Sequence, residues 1–324
     1  MKKILFTGST LSETRKSELK KQGYDFISAR TDMNEDELIA ALSDMDAHII
    51  GGAEIVTERV IERLKDRLKV ITFFGTGYEK YIAVEKAIEH NISVTNTPHA
   101  NVNAVAEFTV ALILTAVKKI VLMNAETKDS QWNRLLTWEL QGKTIGIIGM
   151  GHIGERVARI LKFGFGMNVV YHSRTRKQSI ETELEAEFVS LHKLCSISDI
   201  ISLHAQYSND TIGLIGEVEF SQMKKEAVLI NTARADLVDY NALKNALIGD
   251  KIAFVAFDGY YEEPVPLLIN DKFGLLSMDN SKFVITPHAA YKSINAIKNM
   301  EDIAIDNTIR ILNGEPCVNV VKKA

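Results

Sequence analysis

The sequence predicts an α/β protein made of two doubly wound parallel-sheet domains, and three observations carry that expectation. Short apolar runs alternate with charged, helix-length segments along nearly the whole chain, the pattern of a parallel sheet with crossover helices. At 324 residues the chain exceeds the usual size of a single core, so two domains of roughly 100 to 200 residues are expected. In the middle, an apolar strand from Thr144 to Ile148 breaks into Gly149-Met150-Gly151-His152-Ile153-Gly154, a helical pattern follows at once, and Asn168 to Tyr171 returns as a second strand. In such a βαβ unit the first glycine allows a tight turn, the second lets the backbone approach a pyrophosphate, and the third lets helix and strand pack closely. GxGxxG alone also marks ordinary turns; its place between a strand and a helix is what points to a dinucleotide.

Taken in order, Lys3 to Thr95 reads as strands at Ile4-Leu5-Phe6, Phe26-Ile27, Ala47 to Ile50, Val70 to Phe74 and Ile92 to Thr95. Helices lie between them, one ending near Gly23, others starting at Glu35 and Thr57, and one through Val84 to Ala87. Phe74-Gly75-Thr76-Gly77-Tyr78 closes the fourth strand with two glycines, where backbone N–H groups either face an anion or simply make a turn. Thr97-Pro98 marks a boundary. Asn103 to Val121 is expected to form one long helix. Lys128 to Gln141 then carries both tryptophans, Trp132 and Trp138, in a polar stretch suited to an interface or to a linker packed on its own domain.

After the glycine turn, four apolar runs each stop in a polar group. Ile200 to Leu203 stops at His204, Val228 to Ile230 at Asn231-Thr232-Ala233-Arg234, Phe254 to Phe257 at Asp258 and then Glu263-Pro264, and Phe283 to Thr286 at Pro287-His288. Singly, these are solvated charges and satisfied histidines. Ligands of open parallel sheets sit at the carboxyl ends of strands, however, so four such ends point to one crevice. The helix from Tyr291 to Asn313-Gly314 has no strand to feed in the second domain, and the simplest topology returns it to the first. The expected division is therefore a discontinuous domain, 1–98 with 292–324, and an inserted domain, 99–291.

Composition excludes several classes. The formal charge of -4 comes without a long basic run, which argues against binding nucleic acid or an anionic membrane. Cys195 and Cys317 are too few for a disulfide framework or a zinc site, and no metal is expected; a reducing cytoplasm fits. Met1-Lys2-Lys3 precedes only Ile4-Leu5-Phe6, too short for the apolar core of a signal peptide. The tract Phe108 to Val117 falls short of the ~20 residues of a membrane span.

Together these residues resemble one family over nearly the whole chain, the D-isomer-specific 2-hydroxyacid dehydrogenases. The resemblance rests on Gly75-Thr76-Gly77-Tyr78, Thr95-Asn96-Thr97-Pro98, Ala104-Val105-Ala106-Glu107, the glycine turn, Asn231-Thr232-Ala233-Arg234, Asp258 with Glu263-Pro264, and Thr286-Pro287-His288. It implies a Rossmann-type cofactor domain plus a flavodoxin-like substrate domain with a cleft between them, assembled as a homodimer. The implied reaction is hydride transfer between NAD(P)H and a small 2-keto acid of the glyoxylate, hydroxypyruvate or pyruvate class. Arg234, Glu263 and His288 are the implied catalytic set, with Gly75, Thr76 and Gly77 joining Arg234 and His288 at the substrate. Implied cofactor contacts are Gly149, Gly151, His152, Ile153, Gly154, Thr175, His204, Thr232, Ala233, Asp258, beside the nicotinamide, and Ala290. Transcriptional corepressors resemble the family too, so a cofactor-sensing binding protein on the same fold is the alternative. His99, Ala205-Gln206-Tyr207 and Ala289-Ala290-Tyr291 depart from the family pattern and bear on substrate identity.

Cofactor choice turns on the strand after the glycine turn. An NAD-selective site places an Asp or Glu about 20 residues beyond the motif, where it accepts from the ribose hydroxyls and repels a 2′-phosphate. Here Tyr171 is followed by His172-Ser173-Arg174-Thr175-Arg176-Lys177, with no carboxylate until Glu181. Ser173 and the planar guanidinium of Arg174 suit a 2′-phosphate, with Arg176 and Lys177 adding attraction from the rim. NADP is the expected cofactor, and NAD the alternative if the basic loop is merely solvated.

Overall fold

The computed structural model describes residues 1–9 and 11–322, which form two compact units, Met1–Asn101 with the segment from Ser293 onward, and Val102–Lys292. The first unit begins β1 (Lys2–Thr7), α1 (Glu13–Lys21), β2 (Tyr24–Ala29), α2 (Glu35–Leu42), β3 (Ala47–Ile50), α3 (Glu58–Leu64), β4 (Val70–Phe73), α4 (Val84–Glu89) and β5 (Ser93–Thr95). Its sheet is entirely parallel, in the order β2-β1-β3-β4-β5. Every residue of β3 and β4 is buried, as a parallel sheet covered on both faces requires. Helices start where the sequence supplies a side-chain cap: Ser12, Asn34 and Thr57 accept from the N–H groups of Arg15, Glu37 and Val60.

The second unit contains α5 (Val102–Val117), α6 (Ile120–Lys128), β6 (Thr144–Ile148), α7 (His152–Phe165), β7 (Asn168–His172), α8 (Gln178–Leu184), β8 (Glu187–Phe188) and α9 (Leu191–Ile197). It continues through β9 (Ile200–Leu203), α10 (Glu217–Gln222), β10 (Val228–Asn231), α11 (Tyr240–Ile248), β11 (Phe254–Asp258) and β12 (Phe283–Thr286). Seven parallel strands run β12-β11-β10-β9-β6-β7-β8. β9, β10 and β11 are buried at every residue because both faces are covered. The stretch from Asn103 to Val121 does not form one long helix. Lys119 turns left-handed (φ 53°) and separates α5 from α6, while the Lys118 ammonium donates to the carbonyl of Trp138 at 2.9 Å. α5 is buried along its length, whereas α6 buries no residue.

The chain then returns to the first unit as α12 (Ile294–Asn313), whose Ala304 and Ile305 pack with Ile4, Phe6 and Ile49. Gly314 ends it in the left-handed conformation (φ 73°), and the following segment adds an antiparallel bridge, Val320 to Thr95, at the β5 edge. Among the described residues no helix is long and apolar enough to cross a membrane.

Candidate active site

In the second unit, the glycine turn is built as its sequence demands. Gly149 is left-handed (φ 97°), and a Cβ there would lie 2.5 Å from the backbone of His204 and Ala205. A Cβ on Gly154 would lie 2.2 Å from the Gly149 carbonyl oxygen, so helix α7 and its turn pack backbone to backbone. Gly151 differs, since its Cβ would meet nothing within 4 Å. Gly151 is also the N-cap of α7 and offers no capping side chain. The start of α7 thus has no capping side chain from Gly151 and adjoins open space, an arrangement that fits a pyrophosphate. His152 is exposed and Ile153 half-buried at the same helix start.

On the β7 side the basic loop is only partly available. Arg176 forks onto Glu181, with contacts of 2.9, 3.0 and 2.7 Å. Glu181 also accepts from the buried Tyr171 hydroxyl at 2.6 Å, and that oxygen accepts the Lys177 N–H at 2.7 Å. The Ser173 hydroxyl donates to the Thr175 carbonyl at 2.6 Å. Arg174 is exposed and makes no hydrogen bond or ion pair among the described residues. Of the cations expected around a 2′-phosphate, Arg176 is therefore already engaged.

His204 leaves β9 against Gly149, and its Nε2 meets the Ser202 hydroxyl at 2.8 Å. Burial pushes its pKa down to about 3, which keeps the ring neutral. Ser202 was a readable partner, a lone hydroxyl two residues away on the same strand face. In the next strand-end loop, Asn231 accepts the Ala233 N–H at 3.0 Å and donates to the Arg234 carbonyl at 2.8 Å, fixing the turn from which Arg234 projects. Thr232 shares a 2.8 Å hydroxyl contact with Thr109 of α5, a partner that the strand-by-strand reading missed.

The structure brings Arg234, His288 and Glu263 into one line. Arg234 Nη1 lies 3.1 Å from His288 Nε2, and His288 Nδ1 lies 2.8 Å from Glu263 Oε2. The other Glu263 oxygen accepts the Tyr260 N–H at 2.9 Å, a contact with no side-chain signal in the sequence. Gly259 (φ 105°) permits this approach, since a Cβ there would lie 2.5 Å from Glu263 Oε1. Burial opposes ionisation of Glu263, but bonds and charge from His288, the Tyr260 N–H and the Arg234 cation outweigh it and hold the pKa below the ordinary value. His288 itself is left-handed (φ 50°), and Tyr291 sets its ring edge-on to the imidazole at 6.0 Å.

Asp258 is 5% exposed and already heavily engaged. Its carboxylate accepts from the Thr286 hydroxyl at 2.6 Å and from the Ala289 and Ala290 N–H groups at 2.8 Å each. Here its visible work is to tie the end of β12 and the loop after His288 to β11, leaving limited acceptor capacity for a carboxamide. In the first unit, Gly75, Thr76 and Gly77 follow β4. The Gly75 carbonyl accepts the Thr97 N–H at 2.9 Å, and the Thr76 carbonyl accepts from the Asn96 amide at 3.1 Å. Both carbonyls are thus held from within the unit.

Comparison with known proteins identifies the family. Residues 110–290 match the family model for the D-isomer specific 2-hydroxyacid dehydrogenase NAD binding domain. Over 266 residues the chain is 41% identical to the glyoxylate reductase of Aeropyrum pernix, covering 79% of this chain and 77% of that one. A Thermus thermophilus protein of known structure superposes with a TM-score of 0.88 at 32% identity, over 99% of this chain and 100% of that one. An acyclic imino acid reductase solved with NADPH and D-Arg gives a TM-score of 0.84 at 30% identity, over 99% and 100% of the two chains. The chain belongs to the D-isomer-specific 2-hydroxyacid dehydrogenases, and with them to the NAD(P)-dependent oxidoreductases.

Proposed function

We propose that the protein reduces a small 2-keto acid of the glyoxylate, hydroxypyruvate or pyruvate class to the D-2-hydroxy acid, with NADPH preferred over NADH. The observation that carries this reading is the Arg234, His288, Glu263 line at the carboxyl ends of three neighbouring strands. A bound dinucleotide would be held through its pyrophosphate by the open glycine turn at Gly151 and the α7 N-terminus, and its reduced nicotinamide would supply the hydride. As negative charge grows on the carbonyl oxygen, the Arg234 guanidinium stabilises it through its planar fork. Nδ1 of His288 is committed to Glu263, so Nε2 is the atom that passes a proton to that oxygen. Glu263 fixes the ring and stabilises the charged imidazole. Tyr291, edge-on to His288, forms part of the pocket wall. Asp258 serves the nicotinamide indirectly by holding the loop at Ala289 and Ala290.

Preference for NADPH rests on Arg174, the unengaged arginine after β7. A homodimer is part of the same reading: α6 buries nothing, and Trp132 (78% exposed) and Leu136 (90%) stand in solvent on the arm beyond it. We place the activity in the cytoplasm. The test is a panel of 2-keto acids with both cofactors. The reading expects turnover on at least one short keto acid, with kcat/KM higher for NADPH; absence of turnover across the panel would overturn it. Arg174→Ala is expected to cost NADPH about 1 to 3 kcal/mol in kcat/KM and NADH much less.

A further inference from the structure

The basic loop after β7 holds two arginines in opposite states. Arg174 makes no bond among the described residues, while Arg176, two residues on, is forked onto Glu181. This is more than a casual surface pair. The Glu181 side chain is 15% exposed and is fixed from its other side by Tyr171, a residue with no exposed surface. The same tyrosine oxygen receives the Lys177 N–H, closing residues 171 to 177 into a loop pinned at both ends. Exposed ion pairs are usually worth little, but a bidentate geometry on a pre-positioned carboxylate is the exception. A phosphate arriving at this loop would have to pull Arg176 away from a partner already matched to its fork.

We infer that Glu181 is a specificity-determining residue that keeps Arg176 off the cofactor's 2′-phosphate, so that the preference for a phosphorylated ribose is carried by Arg174 and is smaller than the loop's charge suggests. The inference rests on the reading of this loop as the 2′ subsite. It assigns the loop one working arginine and one held in reserve. Glutamine at position 181 can still accept from Tyr171, but it presents a neutral amide to Arg176, which then becomes available to a phosphate.

Binding is the direct readout, by calorimetric titration of the full-length protein with NADPH, NADH, 2′,5′-ADP and 5′-AMP. Glu181→Gln is expected to tighten NADPH and 2′,5′-ADP about three- to tenfold, the scale of one partly exposed charge-assisted bond, and to leave NADH and 5′-AMP within about twofold. Arg176→Ala alone should leave all four ligands within about twofold of wild type. In Glu181→Gln/Arg176→Ala the gain should vanish. A gain that survives in the double variant would mean that Glu181 acts only through its charge and would overturn the inference, as would an unchanged NADPH affinity in Glu181→Gln. Arg176→Ala weakening NADPH and NADH equally would overturn it too, by making Arg176 a general contact. Arg174→Ala separates the two levels: a loss of NADPH affinity there with no gain in Glu181→Gln defeats this inference alone, whereas no loss defeats the 2′-subsite reading beneath it.

Discussion

The two parallel sheets obey one topological rule and treat their carboxyl edges in opposite ways. Each has a switch point where strand order reverses, between β1 and β3 in the first unit and between β6 and β9 in the second. In the first, the loops close on each other. The Thr7 hydroxyl bonds the Glu54 carboxylate and accepts the Gly51 N–H at 3.0 Å, and the Glu54 side chain is wholly buried beside His48. A Cβ on Gly51 would lie 2.2 Å from the Thr7 carbonyl oxygen, and one on Gly52 2.3 Å from the Thr31 side chain. At the second switch point Gly151 faces open space and α7 has no capping side chain. Topology nominates a crevice, and side chains decide whether it is filled or kept open. In the first unit glycine serves packing; in the second Gly149 and Gly154 serve packing while Gly151 leaves room.

That contrast can be broken most severely at the chemistry of the second unit. His288→Ala is expected to lower kcat by about 10² to 10⁴ while the thermal midpoint barely moves, because His288 closes no core. Steady-state kinetics beside a melting curve checks this; retention of wild-type turnover would remove His288 from the mechanism. The glycine turn allows a sharper contrast between neighbours. Gly151→Ala should fold with wild-type stability, its Cβ meeting nothing, yet weaken NADPH and NADH about tenfold or more, roughly 1.4 kcal/mol or above. Gly149→Ala should lose stability itself, by about 1 to 3 kcal/mol for its left-handed backbone and more for the contact with the His204–Ala205 peptide. Denaturant titration paired with cofactor binding distinguishes them, and equal behaviour of the two variants would refute the division of labour.

At the filled switch point the expected signs reverse. Thr7→Val removes the donor to a buried carboxylate and should cost about 1 to 3 kcal/mol of stability, with NADPH affinity unchanged. If cofactor affinity fell with stability preserved, the first unit's switch point would be a binding site after all. The smallest effect concerns pH. Glu263 is held below the ordinary glutamate value of 4.5, so its contribution is present above the unfolded value and lost as pH falls through the folded one. Unfolding curves of wild type and Glu263→Gln should therefore differ most above pH about 4.5 and converge below it, the reverse ordering refuting the ionised pair.

Much of this was legible because the signals are local. The strand and helix alternation, the glycine turn and the polar residues closing four strands of the second unit are periodicities and turn chemistries that act over a few residues. The break at Lys119 was not legible, because the apolar pattern from Asn103 continues through it and the left-handed turn comes with a contact to Trp138, twenty residues ahead in the chain. Nor was the state of the basic loop. Arg174 and Arg176 look alike in sequence; only the fold places the Tyr171 hydroxyl and Glu181 beside the second.

By itself the sequence determined the class of architecture, the place of the glycine turn and the strand ends after which Arg234, Glu263 and His288 follow. Each of these depends on which residue type sits at the end of a strand, and parallel strands bring their ends together whatever their order. The tertiary structure alone decided which groups are available. Asp258 is engaged by Thr286, Ala289 and Ala290, Arg176 by Glu181, and the β1/β3 crevice by Thr7 and Glu54. Whether a polar side chain can meet a ligand depends on the partners that other segments bring to it, and those partners lie 5 to 47 residues away in the chain.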